Sequence, residues 1–244
     1  MHELGITRSV RKRDHLLQTP DTFVRAPLPG MDKATAVIHV APQIGAKFMQ
    51  YTAEFEPGGK LAPTSAQRFL YVLEGRLDCT PNHTLRAGSY AYFPAGSQKS
   101  VSSQGAAKAA VIEKPYLPLD GKPAPPFFSG RESEADPQPL VDDPDLEVRT
   151  LVPADACFDF AVNTMTFQPG ASLPMVEIHV MEHGLLMLEG GGIYRLNDSW
   201  YPVAAGDFIW MAPYCPQWFG ALGKRPAKYL IYKDWNRNPS ESSH

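Results

Sequence analysis

The apolar positions of this chain fall into short runs rich in Val, Ile, Phe and Tyr, each bounded by glycine, proline or polar clusters. In the first half these runs are 47–55 (KFMQYTAEF), 68–79 (RFLYVLEGRLDC), 89–94 (SYAYFP) and 109–116 (AAVIEKPY). In the second half they are 160–167 (FAVNTMTF), 184–196 (GLLMLEGGGIYRL), 207–213 (DFIWMAP) and 227–235 (AKYLIYKDW). β-Branched and aromatic residues suit a pleated, half-buried surface, so each run predicts a strand or a strand pair. The 24 prolines and 19 glycines are spread between the runs, where they turn the chain. The class predicted is all-β.

Between the two sets lies 117–145 (LPLDGKPAPPFFSGRESEADPQPLVDDPD), whose prolines remove backbone donors and whose charges leave little to bury. It reads as a linker. The division predicted is a first domain at 1–120, a linker at 121–147 and a second domain at 148–244. The halves also repeat: Phe55, Pro57 and Gly58 recur as Phe167, Pro169 and Gly170, Leu73-Glu74-Gly75 as Leu188-Glu189-Gly190, and Ala87-Gly88 as Ala205-Gly206. One pattern used twice predicts two similar units, each a barrel or a double-sheet sandwich that buries its apolar faces and protects its edges.

With 244 residues, 43% hydrophobic and a formal charge of −3, the chain is an ordinary globular protein that needs no disulfide or structural metal to hold a core. Cys79, Cys157 and Cys215 are far apart and odd in number, as expected in a reducing compartment. Lys and Arg total 23 against 26 Asp and Glu, and only the RSVRKR stretch is locally basic, which excludes nucleic acid as the expected partner. No run approaches the roughly 20 apolar residues of a membrane helix. Charges scattered through the first residues argue against a signal peptide, so the expected location is the cytoplasm.

Candidate chemistry concentrates in 176–183 (VEIHVMEH). Glu177 and His179 are two apart, so on a strand both project from one face; His183 follows beyond a bend, and turns at Gly190 and Gly206 can return Gln217 beside them. A carboxylate, two imidazoles and an amide oxygen make a mixed N/O set suited to a divalent first-row metal. The bland alternative is that the same histidines are satisfied core residues. The other five histidines, at 2, 15, 39, 83 and 244, form no comparable group. Cys215, beside the Gln217 turn, offers a thiolate that favours zinc. In 229–233 (YLIYK), Tyr229 and Lys233 share strand parity, and Tyr194 lies near the end of the GGGIYRL run. Lys233 offers a cation to a carboxylate and Tyr194 a hydroxyl; otherwise the tyrosines are core aromatics and the lysine reaches solvent. Trp210 and Trp218 are expected to wall the interior.

The order of these residues resembles the two cupin motifs, with Glu177, His179 and His183 at the His, His and Glu positions of the first and Gln217 at the His position of the second. That substituted set is similar to the (S)-ureidoglycine aminohydrolase family, bicupins of allantoin and purine catabolism. The likeness continues through 184–196, Trp200-Tyr201-Pro202-Val203, 209–213, Tyr232-Lys233-Asp234 and Asn236-Arg237-Asn238-Pro239. The resemblance implies two tandem double-stranded β-helix (jelly-roll) barrels. It implies Mn²⁺ on Glu177, His179, His183 and Gln217, with Zn²⁺ or Fe²⁺ as alternatives, and Lys233, Tyr194 and Tyr229 as substrate contacts. The implied reaction is hydrolysis of (S)-ureidoglycine to (S)-ureidoglycolate and ammonia. A homo-oligomer of at least two chains is also implied. A metal-dependent cupin isomerase or oxygenase, or a non-catalytic small-molecule-binding bicupin, are the other readings. The first half departs from the motif: Ala62, Thr64, Arg68, Pro94, Gly96 and Lys99 stand at the matching positions, leaving a structural domain or an anion pocket at Arg68 and Lys99.

Overall fold

The computed structural model describes residues 6–79 and 83–237. Apart from three short 3₁₀ turns its regular elements are all strands, and no helix of the described residues is long and apolar enough to cross a membrane. The chain divides into two compact units. An amino-terminal unit takes 24–135 and 151–159, and a carboxyl-terminal unit takes 6–23, 136–150 and 160–237.

This division differs from 1–120, 121–147 and 148–244, and strand pairing explains where. The expected runs contain no His15–Gln18 strand, yet it pairs with Phe208–Met211, from Phe208 opposite Gln18 to Met211 opposite His15, and so draws the first residues into the carboxyl-terminal sheet. Within the expected linker, Phe128–Arg131 pairs with Ser89–Phe93, and Asp143–Thr150 pairs with Phe160–Phe167. Pro137 and Pro139 sit in the outermost strand, Pro137–Leu140, where a missing donor is tolerated. Residues 151–159 end on Asp159. Its fully buried carboxylate accepts from Lys114 Nζ at 2.7 Å, Gln67 Nε2 at 2.6 Å and the Leu117 amide at 3.0 Å, which binds this segment to the amino-terminal unit.

In the carboxyl-terminal unit, eight antiparallel strands run in the order Val10–Arg11, His15–Gln18, Phe208–Met211, His183–Glu189, Ala227–Asp234, Phe160–Phe167, Asp143–Thr150, Pro137–Leu140. A second sheet holds Ser199–Ala204, Gly191–Leu196 and Gln217–Ala221. Leu185, Met187, Ile209, Tyr229 and Ile231 of the first pack against Leu196, Val203 and Phe219 of the second. Burial of one such aliphatic or aromatic side chain contributes about 1.5–3 kcal/mol, so this inter-sheet layer is the main cohesive element of the unit.

The amino-terminal unit is built around the 13-residue strand Met49–Leu61. It pairs with Met31–Val40 and Ala107–Lys114, and at its far end with Val101–Ser103. Its core face carries Tyr51, Ala53 and Phe55 against Leu70, Val72, Ala109 and Val111. Gly75 and Gly190 make the same turn in the two units. Their φ angles are 77° and 63°, and a Cβ on either would come within 2.4 Å of a carbonyl oxygen, of Ala106 and Pro226 respectively. Among the described residues the strand ladder does not run continuously around either unit: Val10–Arg11 and Pro137–Leu140 end one path, and Phe128–Arg131 and His83–Arg86 the other.

Candidate metal centre

Residues 168–182 carry no regular strand, contrary to the expectation that Glu177 and His179 lie on one. Two isolated antiparallel bridges replace it, Ser172 with Gly220 and Glu177 with Gln217. The Glu177 amide donates to the Gln217 carbonyl at 2.8 Å and the Gln217 amide donates back at 2.9 Å. In such a reciprocally bonded pair the two side chains leave the same face, which puts the carboxylate beside the carboxamide. The Tyr214 amide donates to the His179 carbonyl at 2.7 Å and fixes the next inward position. His183 opens the strand His183–Glu189, opposite Lys233.

The expected alternation survives the missing strand. Glu177, His179, His183 and Gln217 all line one cavity of about 150 Å³, and Tyr194, Tyr229 and Lys233 line it too. Asn163, Leu140, Val148, Met165, Leu173, Met181 and Ile231 complete the wall. His179 Nε2 lies 3.2 Å from Glu177 Oε2, and the His179 and His183 rings meet edge to face with centroids 5.3 Å apart. The Tyr194 hydroxyl donates to Gln217 Oε1 at 2.9 Å and orients the carboxamide.

His183 is the least satisfied group. It is 4% exposed, and neither ring nitrogen makes a hydrogen bond. Burial first, then the neighbouring His179 and Lys233, push its pKa down to about 3, with the Tyr232 backbone acting in the opposite sense. A neutral imidazole with a free lone pair is the form that binds a metal. Burial also lowers the pKa of Lys233 while Glu177 raises it, and burial holds the Tyr194 and Tyr229 hydroxyls protonated, well above the usual tyrosine range.

Among the described residues, one group of three His, Cys, Asp or Glu side chains has its ligand atoms within 4.8 Å of one another: Asp14, His15 and Cys215. Its donors are engaged already. His15 Nδ1 is 2.9 Å from Asp14 Oδ1, His15 Nε2 is 2.9 Å from the Tyr201 hydroxyl, and Asn197 Nδ2 donates to Asp14 Oδ2 at 2.7 Å. Burial and then Asp14 push the Cys215 thiol up to about 11. Cys215 therefore stands with Asp14 and His15 and is not among the residues that line the Gln217 cavity. The cavity set fits a metal better, because both His183 ring nitrogens are buried without a hydrogen bond.

Of the two tryptophans expected to wall the interior, Trp218 does so and Trp210 does not. Glu182, adjacent in sequence to His183, is buried and accepts from Trp210 Nε1 at 3.0 Å, so Trp210 faces away from the cavity-side core. Trp218 packs against that core and donates to the Leu173 carbonyl at 2.7 Å. Two residues were not foreseen. Asn163 lines the cavity with a buried, unpaired Oδ1; a polar residue on the inward parity of FAVNTMTF, with Met165 and Phe167, was the available signal. Trp235 lies beneath Lys233, whose Nζ is 4.5 Å from the ring centroid; its two-residue spacing from Lys233 was the corresponding clue.

In the amino-terminal unit the two cations weighed for an anion pocket are engaged separately. Arg68 Nε donates to Glu113 at 2.7 Å and Nη1 to the Ala62 carbonyl at 2.9 Å, while Lys99 Nζ lies 4.8 Å from the Phe127 centroid. Cys79 is a core residue whose thiol burial pushes up to about 12.

Comparison with known proteins identifies both units as cupin domains. Residues 163–232 match a cupin domain and residues 44–116 an EutQ-like cupin domain. The chain is 44% identical over 243 residues to a probable (S)-ureidoglycine aminohydrolase of Oryza sativa subsp. japonica, covering 96% of this chain and 77% of that one. It is 42% identical to the (S)-ureidoglycine aminohydrolase of Arabidopsis thaliana, covering 96% and 80%. The crystal structure of a putative glyoxylate induced protein from Pseudomonas aeruginosa superposes with a TM-score of 0.89 at 30% identity, covering 100% and 96%. With two cupin domains and this identity over nearly its whole length, the chain is an enzyme that belongs to the (S)-ureidoglycine aminohydrolase family.

Proposed function

We propose that this enzyme hydrolyses (S)-ureidoglycine to (S)-ureidoglycolate and ammonia, with Mn²⁺ held by Glu177, His179, His183 and Gln217. The observation that carries the metal assignment is the buried His183 imidazole, unpaired at both nitrogens, in one cavity with a second imidazole, a carboxylate and a carboxamide. Without a thiolate this donor set suits manganese better than zinc. Bound there, the metal supplies Lewis-acid polarisation and a lowered pKa for water.

The chain's own residues do the rest. Lys233 holds the substrate carboxylate, Tyr194 keeps Gln217 in place, and Tyr229 borders the reacting carbon as a neutral phenol. The C–N bond to the amino group breaks, a C–O bond forms from water, and the amino group leaves as ammonia. Holding the tetrahedral carbon in one orientation makes a single product enantiomer the expected result. A cytoplasmic location and a homo-oligomer of at least two chains belong to the same proposal; light scattering after gel filtration measures the latter.

The test supplies freshly generated ureidoglycine to metal-stripped protein with Mn²⁺, Zn²⁺, Fe²⁺ or no metal, and follows ammonia release and product chirality. Manganese-dependent formation of one enantiomer, with Glu177→Gln and His179→Ala both at the spontaneous rate, is the expected outcome. A racemic product at the spontaneous rate under confirmed metal loading overturns it.

A further inference from the structure

We infer that Asn163 is the residue that reads the ureido end of the substrate, an inference that rests on the function proposed above. Its side chain is 8% exposed and lines the cavity, and its Oδ1 is buried with no hydrogen-bond partner. An orphaned buried acceptor is costly to leave unpaired, so a ligand that supplies the missing donor gains affinity from it.

The surroundings identify the donor. Asn163 stands opposite Ile231 in the ladder between Phe160–Phe167 and Ala227–Asp234, which makes it the diagonal neighbour of both Tyr229 and Lys233. Diagonal positions are about 7–8 Å apart. Lys233 is the cation of the cavity, and the Gln217 carboxamide oxygen is already taken by Tyr194. A linear ureide with its carboxylate at Lys233 therefore directs its far end towards Asn163. A carboxamide and a ureido group complement each other: each offers a carbonyl and an N–H, and the pair exchanges two hydrogen bonds. A carboxylic acid without a ureido group leaves the amide unsatisfied, and a site built to pair a polar group discriminates strongly against analogues that lack it.

Hydantoate (N-carbamoylglycine), which has the carboxylate and the ureido group but no leaving amine, is the probe, and glycolate is the control without a ureido group. Both are titrated calorimetrically into the Mn²⁺-loaded holoenzyme, with Asn163→Leu and Asn163→Ala measured beside it. The expected result is that each variant binds hydantoate about tenfold more weakly, binds glycolate as the native enzyme does, and raises KM for ureidoglycine more than it lowers kcat. Asn163→Leu also keeps or raises the ligand-free melting temperature, because a buried unpaired amide is replaced by an apolar group of the same branched shape. Native-like hydantoate affinity in the variants, or an equal loss for both ligands, overturns the role of Asn163. A native holoenzyme that binds glycolate but not hydantoate overturns the ureide reading, and the inference with it.

Discussion

The two units place different chemistry at the same three ladder positions. In the amino-terminal unit Tyr51 is opposite Val111, and Arg68 is opposite Glu113. In the carboxyl-terminal unit Asn163 is opposite Ile231, and His183 is opposite Lys233. Thus Tyr51, Arg68 and Glu113 stand where Asn163, His183 and Lys233 stand in the other unit. The first three satisfy one another, for Glu113 Oε1 accepts from Arg68 at 2.7 Å and from the Tyr51 hydroxyl at 3.1 Å. The second three do not: two basic groups face each other, and Asn163 and His183 keep unpaired atoms. Gln50 is also buried and unpaired in the amino-terminal unit, but it alternates with Tyr51 and so lies on the strand's other face. In the proposed function the scaffold with its interior charges cancelled serves as a structural domain, and the same scaffold with them left open serves as the site.

The sharpest way to break this comparison is Arg68→Met. Arg68 and Glu113 have side chains only 4% and 13% exposed, and removing one partner of a buried pair costs about 3–5 kcal/mol. The expected outcome in chemical denaturation is a loss of that order, with turnover per folded molecule unchanged; replacing Glu113 by Leu in the same chain restores most of the stability. Full stability in Arg68→Met, accompanied by weaker anion binding, would instead make the amino-terminal interior a second site.

Each unit also buries one histidine whose pKa burial pushes down to about 3. His39 is bonded to Thr52 Oγ1 at 2.8 Å, and His183 is unpaired. A folded pKa below the unfolded value of about 6.5 favours the neutral ring, so the contribution is present above pH 6.5 and is lost as the pH falls from 6.5 towards 3. For His39 alone the loss at pH 5 is about 2 kcal/mol. His39→Leu therefore flattens the stability profile between pH 7 and 5 by about that amount; an unchanged slope would show that His39 is not buried as the neutral ring.

Much of this contrast is legible in the sequence, because it is written in residue types at repeated spacings. The Glu177, His179, His183 and Gln217 set is legible in its own spacing and resemblance, its absence at Ala62, Thr64 and Arg68 in the alignment of Gly75 with Gly190, and its absence at Lys99 in that of Gly88 with Gly206. The eight apolar runs also coincide with strands, since a half-buried strand needs its apolar alternation. Pieces that borrow a partner from far away are hidden. His15–Gln18 is too short to announce itself and is a strand only because Phe208–Met211 leaves an edge beside it. Asp143–Thr150 carries charges because one of its faces is wet. The commitment of Arg68 to Glu113 was equally hidden, since a ladder partner 45 residues away decides it.

The smallest effect concerns how each unit holds a lysine. Lys99 lies over Phe127 at 4.8 Å and Lys233 over Trp235 at 4.5 Å, but Lys233 alone lines the cavity. A ring beneath an ammonium stabilises the charge without using any of its three N–H donors, a contribution of about 0.5–1 kcal/mol at an accessible site. Trp235 thus leaves those donors of Lys233 to the substrate carboxylate that the proposed function places there. Trp235→Leu is expected to raise KM about two- to fivefold with kcat nearly constant, and Trp235→Phe to restore most of the affinity, since a benzene ring keeps the negative face. In a Lys233→Met background the same Trp235→Leu change adds nothing, because the charge it acts through is gone. An undiminished effect in that background assigns Trp235 to the cavity wall, and the parallel between the two lysines then ends at geometry.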